Sequence, residues 1–492
     1  MSDKLLPADV GAEIVAPRPA ALIETFRAIG YSLPSAIADI IDNSISADAK
    51  TVQVNFNWAE SNSSVTIIDD GKGMNEKELI EALRPGTTNP LADRNANDLG
   101  RFGLGLKTAS FSQCRRLTVI SKSRDSGEIT YRAWDLDYVE QNDQWQIIRY
   151  LSDPHLPELL DDFASGTIIS WEIMDRVIYD QNKQLISGKK FWEAVREVEK
   201  HLSMVFHRFI EQRKLMVFLN GNKLNPWNPF LTGEPATQSF PTETYDNGKI
   251  SLTGFVLPHA SKIDTDKWNE AAGSMGWTAQ QGFYIYRKDR ILLAGDWLGL
   301  FKKDDFTRLA RIMVEIDSSL DFSWQIDIRK SRAVPPKMFQ DILKRYGAEI
   351  RKLAIDVYRH RGKQKQRKKD HSHFEFAWVT VEEGGREYFR INRKHPSFRI
   401  VKEQLGKESR EFEKLITLLE MTLPLPSIVF NESQYADQPA PALNADSDLM
   451  LDMMKSVYKR LLKDGLTHAK AVEELFFIEP FSNYPHLVEQ LN

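Results

Sequence analysis

The 492-residue chain has one cysteine, Cys114, which excludes an internal disulfide framework and a cysteine-based zinc site. Histidine is scarce too, at ten residues, so no His/Cys cluster of metal-ligand spacing emerges. There is no basic surplus: 65 Lys and Arg stand against 69 Asp and Glu, a formal net charge of −4. Proteins that live on nucleic acid usually carry a basic excess, so any such contact has to come from a local patch. No apolar run nears the roughly 20 residues of a membrane span. The first twenty residues hold prolines and acids where a secretory signal carries an apolar core. These absences point to a cytoplasmic protein without a membrane partner. What is present, 42% hydrophobic and 27% charged residues, suits a globular chain of two to four domains.

After an N-terminal extension (1–19), residues 20–180 read as an α/β layer. Ile37, Ile40 and Ile41 repeat at helical spacing, and strand patterns follow at 51–57, 64–69, 116–122, 128–134, 146–150 and 167–173. A short helix near 75–84 leads into 85–105, a Gly-, Asn- and Asp-rich stretch that reads as a long mobile loop entering a helix. A second α/β block spans 185–360, with helices at 191–212 and 336–359 and strands around 215–219, 250–256, 282–286 and 311–317. The run Arg359-His-Arg-Gly-Lys-Gln-Lys-Gln-Arg-Lys-Lys369 makes 361–371 a basic linker. Residues 372–492 form a smaller α+β block, with a strand pair at 374–392 and helices near 408–421 and 446–465.

Four separated motifs suggest one site. Asp39 and Asn43 stand four apart on a helix and so share a face; a carboxylate there can take a proton from water, and a carboxamide oxygen suits a hard cation. Asp69-Asp70-Gly71-Lys72-Gly73-Met74 follows a strand, where an acid can accept an exocyclic amino group and glycines admit close backbone approach. Gly100-Arg101-Phe102-Gly103-Leu104-Gly105-Leu106-Lys107 is a Gly-rich loop meeting a helix, an anion site to which Lys107 adds charge. It is not a Walker A sequence, because Leu106 stands where glycine precedes the lysine. Gly166-Thr167 opens a later strand. Each motif alone has an ordinary reading as a polar face, a turn or a flexible loop.

Taken in order, the four resemble the Bergerat fold of the GHKL superfamily, which holds DNA gyrase B, MutL, the heat-shock chaperones, histidine kinases and MORC proteins. The resemblance covers about residues 20–175 and implies a two-layer domain that binds ATP with Mg²⁺. It implies Asn43 as the Mg²⁺ ligand, Asp69 and Thr167 at adenine, and Gly71, Gly73 and Met74 lining the base pocket. Gly100, Arg101, Phe102, Gly103, Leu104, Gly105 and Lys107 fall at the β- and γ-phosphates, with 85–102 as lid. Asp39 occupies the general-base position, usually a glutamate; the shorter side chain bears on hydrolysis, expected to be slow, more than on binding.

The second block then resembles a transducer domain, which delivers a cation to the γ-phosphate; Lys330 is the candidate and Arg329 the runner-up. Asp39-Ile-Ile-Asp-Asn-Ser-Ile-Ser-Ala47 and the Gly-Leu-Lys ending look closest to MORC and its bacterial relatives. That kinship implies an ATP-dependent homodimer serving a DNA-directed or phage-defence complex, with a partner nuclease doing any cutting. A chaperone-like clamp on protein clients is the alternative. A histidine kinase is disfavoured, since no histidine precedes His155. Arg27 and Tyr31 read either as partner contacts across a dimer or as packing within a helix hairpin. Arg390 to His395 reads as a surface turn.

Overall fold

The computed structural model describes residues 15, 17–86, 105–273, 275–320, 323–327, 333–359, 375–383, 386–422, 447–481 and 484–491. Two compact units divide the chain, Met1–Leu257 with Asp266–Ala354, and Pro258–Thr265 with Ile355–Asn492.

The first unit begins with helices α1 (Pro19–Ala28) and α2 (Leu33–Ser46). Ser32 caps α2, accepting from the Ser35 amide, and Pro34 sits in its first turn, where a missing N–H costs nothing. Then come β1 (Thr51–Asn57), β2 (Ser64–Asp69), α3 (Glu76–Leu83), α4 (Gly105–Phe111), β3 (Arg116–Lys122), β4 (Ile129–Asp135), α5 (Leu136–Asn142), β5 (Gly166–Glu172), α6 (Gly188–Val205), α7 (His207–Glu211), β6 (Met216–Leu219) and β7 (Asn222–Lys223). The strands form one sheet in the order β4-β3-β5-β2-β1-β6-β7. All its pairs are antiparallel except β1 with β6.

Burial alternates along β1, so Val52, Val54 and Phe56 face the helices. They join Ile37, Ile40 and Ile41 of α2 and Val198 and Leu202 of α6 in one core. Strand β5 shows no such alternation. Its other face carries Ile168, which packs with Ile68, Ile120 and Leu160 under the 151–163 segment. A boundary near 180 therefore falls inside this layer: α6 packs on α2, and β6 completes the sheet beside β1. The stretch expected as a strand at 146–150 makes only an isolated bridge, Ala133 to Ile148.

Within the same unit a second sheet follows. It comprises β8 (Gln238–Ser239), β9 (Glu243–Tyr245), β10 (Ile250–Val256), β11 (Gly282–Arg287), β12 (Arg290–Asp296) and β13 (Ala310–Ile316), with α8 (Thr265–Ala271) between β10 and β11. Its order is β12-β11-β13-β10-β8, with β9 also on β10. Helix α9 (Lys337–Arg359) packs across it; the Gly254 amide donates to the Tyr346 hydroxyl at 2.8 Å. The junction with the first layer is polar and aromatic. His207 Nε2 and the Tyr286 hydroxyl share a hydrogen bond of 2.7 Å, and the Arg208 guanidinium lies 4.2 Å from the Tyr286 ring centroid.

The other unit has a hairpin, β14 (Trp378–Glu383) and β15 (Arg386–Ile391), and helices α10 (Pro396–Leu405), α11 (Ser409–Met421), α12 (Ser447–Lys463) and α13 (His468–Leu475). Met450, Met454, Val457, Leu475 and Phe481 centre its core. The turn expected at 390–395 is present but not superficial. Asn392 and His395 are buried, and the Arg393 guanidinium is held by Glu413 and Glu420.

Candidate functional site

The site lies where the C-terminal end of α2 meets the end of β2. Along α2 every residue from Ala36 to Asp42 is buried, and Asn43 is exposed. The sheet holds that helix by its isoleucines, so the polar positions 39 and 43 emerge beside the strand ends.

Asp69 closes β2, paired in register with Thr167 of β5. Its Oδ2 accepts from the Ser44 hydroxyl at 2.8 Å and its Oδ1 from the Gly71 amide at 2.9 Å. The side chain is 6% exposed. Burial pushes the carboxyl up to about 6, even though the Gly71, Ser44 and Thr167 hydrogen bonds pull it down. Thr167 Oγ1 shares a hydrogen bond of 3.0 Å with Ser121 Oγ, which also accepts from the Met74 amide at 2.9 Å. Gly73 has φ +66°, and a Cβ there would lie 1.9 Å from the Lys122 carbonyl oxygen. Only glycine lets this loop cross β3 so closely.

On the opposite side, Asp39 is 5% exposed. The Tyr31 hydroxyl donates to its Oδ2 at 2.8 Å. Burial, and next the Asp39 charge, raise the Tyr31 phenol well above its usual value, which keeps it a donor. The Asp327 carboxylate raises it further, so this residue of the stretch expected to deliver a cation lies near Tyr31. Lys330 and Arg329 lie outside the described residues. Gly105, the first residue of α4, borders Asp39, since a Cβ there would stand 3.9 Å from Oδ2. Gly100, Arg101, Phe102, Gly103 and Leu104 are outside the described residues, as are Lys363, Lys365, Arg367, Lys368 and Lys369 of the basic run.

The histidine kinase-, DNA gyrase B- and HSP90-like ATPase family matches residues 31–167, which runs from the Asp39 partner Tyr31 to the Asp69 partner Thr167. The segment is a GHKL ATPase domain. Over 88 residues, 18% of the chain, it is 32% identical to the ATPase morc-1 of Caenorhabditis elegans, covering 10% of that protein. Over 122 residues, 20% of the chain, it is 30% identical to the human structural maintenance of chromosomes flexible hinge domain-containing protein 1, covering 6% of it. The chain therefore spans a small fraction of these relatives. A solved structure of the ATPase and transducer domains of DNA topoisomerase II from Balamuthia mandrillaris aligns with 67% of the chain and 87% of its own length. It does so at 12% identity and a TM-score of 0.39.

Within the GHKL domain, the expected role of Lys107 changes. Lys107 is 2% exposed, and its Nζ donates to the carbonyls of Ala82 (2.9 Å) and Arg84 (3.0 Å). In this arrangement it caps the end of α3 rather than reaching out as a free cation, and burial brings it down to about 8. Arg27 is 1% exposed, bonded to the carbonyls of Phe111 and Cys114 and to Asp175. It packs within the chain, against the end of α4 and Asp175 rather than against α2, whereas Tyr31 bonds to Asp39 of α2 as the hairpin reading has it. Asp42 is 1% exposed and bound by Arg290.

Ser44, Ser121 and Arg290 are missing from the sequence reading. Ser44 directly follows Asn43 of the first motif, a signal available without coordinates, whereas Ser121 is distant from every motif in the sequence. Arg290 was hidden because 290–296 was not recognised as a strand. No helix among the described residues is long and apolar enough to cross a membrane.

Proposed function

We propose that the pocket between α2 and the end of β2 binds ATP with Mg²⁺ and hydrolyses the γ-phosphate, and that the cycle drives the second sheet. The observation that carries this is Asp69: a buried carboxylate held by Ser44 and Gly71, beside a glycine loop that no side chain could occupy. Each carboxylate oxygen keeps a lone pair for the exocyclic amino group of adenine, while Gly71, Gly73, Met74 and Thr167 line the base. Asn43 offers one neutral oxygen to Mg²⁺, and phosphates and water would supply the remaining ligands, the usual arrangement for this ion. Bound Mg²⁺ would neutralise phosphate charge.

Asp39 accepts the proton of the water that attacks the γ-phosphorus, and ADP leaves. Tyr31 fixes one oxygen of Asp39 and so orients the other. The shorter aspartate suits a slow enzyme, a timer that closes on ATP and opens after hydrolysis. Gly100, Arg101, Phe102, Gly103, Leu104 and Gly105 serve the phosphates in this reading, and Lys330 is the sensing cation of a transducer. ATP-dependent homodimerisation and service to a DNA-directed or phage-defence complex, with a partner nuclease, rest on kinship with MORC-like proteins.

Light scattering of the full chain with and without a non-hydrolysable ATP analogue tests the cycle. A nucleotide-dependent dimer is expected, and a monomer in both states would remove the clamp. Asn43→Ala is expected to abolish Mg·nucleotide binding. Asp39→Ala is expected to retain ATP unhydrolysed, and normal turnover in that variant would sink Asp39 as the base.

A further inference from the structure

Arg290 opens β12 in the second sheet but buries its guanidinium in the GHKL domain, at 4% exposure. Its Nε lies 3.1 and 3.0 Å from the two carboxylate oxygens of Asp42. Its Nη2 stands 3.8 Å from Asp39 Oδ1, and Nη1 donates to the Ile291 carbonyl at 2.5 Å. The guanidinium also lies over the Phe206 ring, 5.7 Å from its centroid. His201 of α6 faces the same group. Burial, and then the Arg290 charge, push its imidazole down to about 4, so it adds no second cation. One guanidinium from the second sheet thus meets both acids of α2.

Asp39, Asp42 and Asn43 are spaced by three and four and rise from one side of the helix. Fastening Asp42 therefore sets where Asp39 and Asn43 sit. We propose that Arg290 is a positioning residue that couples the second sheet to the catalytic face of α2. The coupling rests on the ATPase reading above for its consequence, not for its geometry. When β12 shifts, the planar fork pulls Asp42 with it, and Asp39 moves relative to the phosphate pocket. Lysine cannot replace that fork, because a point charge does not span two carboxylates in fixed geometry. The adenine side, built from Asp69, Ser44 and Thr167, is not touched by Arg290.

Arg290→Lys in the full chain tests the coupling, and the pair Arg290→Met with Asp42→Leu removes both buried charges so that neither is stranded. The first readout is hydrogen exchange without nucleotide. Amides of 33–46 are expected to exchange at least tenfold faster, while β10 and β13 keep their protection. The second readout is kinetic: kcat for ATP is expected to fall at least tenfold in both variants while ADP affinity stays within about twofold. Unchanged exchange over 33–46 would overturn the coupling even in a chain that hydrolyses nothing. Unchanged kcat in either variant would overturn the positioning role. A global loss of protection would reduce Arg290 to a fold-holding residue and overturn it too. A wild-type chain that binds no nucleotide would sink the pocket reading alone, since the exchange experiment does not use nucleotide.

Discussion

The hydroxyl of Ser44 donates to Asp69 Oδ2 at 2.8 Å, tying α2 to the end of β2. Asn43 and Ser44 are neighbours, so the residue expected at the metal directly precedes the one that holds Asp69.

Asp69→Asn separates binding from stability. Asp69 ordinarily titrates at 3.8 and sits here at about 6. A raised carboxyl favours folding in its protonated form; that contribution is whole below 3.8 and is lost as pH rises through 6. The displacement corresponds to about 3 kcal/mol. Asparagine carries no charge, and the Ser44 hydroxyl can turn to accept from its NH₂ group. Urea unfolding is expected to find the variant more stable than wild type at pH 7.5, by up to about 3 kcal/mol, with no difference near pH 3.5. ADP affinity at pH 7.5 is expected to fall about tenfold or more, because a charged acceptor is lost. A variant less stable at pH 7.5 than at pH 3.5, relative to wild type, would contradict the burial of this charge.

The four motifs were legible because their glycines and acids are chemically constrained and follow one another in a set order along the chain. Gly73 announces a loop that only glycine can make, and Asp39 and Asn43 lie on a helix whose isoleucines fix its face. Ser121 was not legible, since a hydroxyl beside Lys122 at the end of β3 reads as a solvated position until Thr167 and the Met74 amide meet it. Arg290 was lost for a different reason. Its hairpin turns through Lys288 and Asp289 at φ +48° and +68°, and tight turns of that kind are usually signalled by Asn-Gly or Asp-Gly. The first layer was cut short near 180 because its last pairing, β1 with β6, is parallel and joins segments more than 150 residues apart. Local pattern carries no trace of such a contact.

Gly73→Ala is expected to lower stability by roughly 3 kcal/mol, combining left-handed strain with a Cβ driven into the Lys122 carbonyl. The loop cannot simply relax, because the Arg124 amide donates to the Lys72 carbonyl and the Met74 amide to Ser121. Gly86→Ala is the control, with φ +73° and no atom of the described residues within 4 Å of its Cβ, and should cost about 1 kcal/mol. Urea midpoints of the two variants check the difference. Equal losses would mean the Gly73 loop is not held against β3.

Lys107→Met distinguishes a structural cation from a phosphate ligand. The ammonium satisfies the Ala82 and Arg84 carbonyls at the end of α3, so methionine leaves both without their donor, at about 1–3 kcal/mol of stability. Arg84 directly precedes the Gly-rich stretch expected as a lid, and Lys107 follows it, so this one side chain joins the residues at its two ends. In that role its loss should weaken adenosine and ATP binding together, each by less than about threefold. A lysine on the phosphates would behave otherwise. Its charge-assisted bonds would be lost only with ATP, lowering that affinity about tenfold and flattening its salt dependence, while adenosine binding stayed unchanged. Titrating both ligands against the variant at two salt concentrations separates these outcomes. The bonds to Ala82 and Arg84 favour the first, with the thermal midpoint falling alongside.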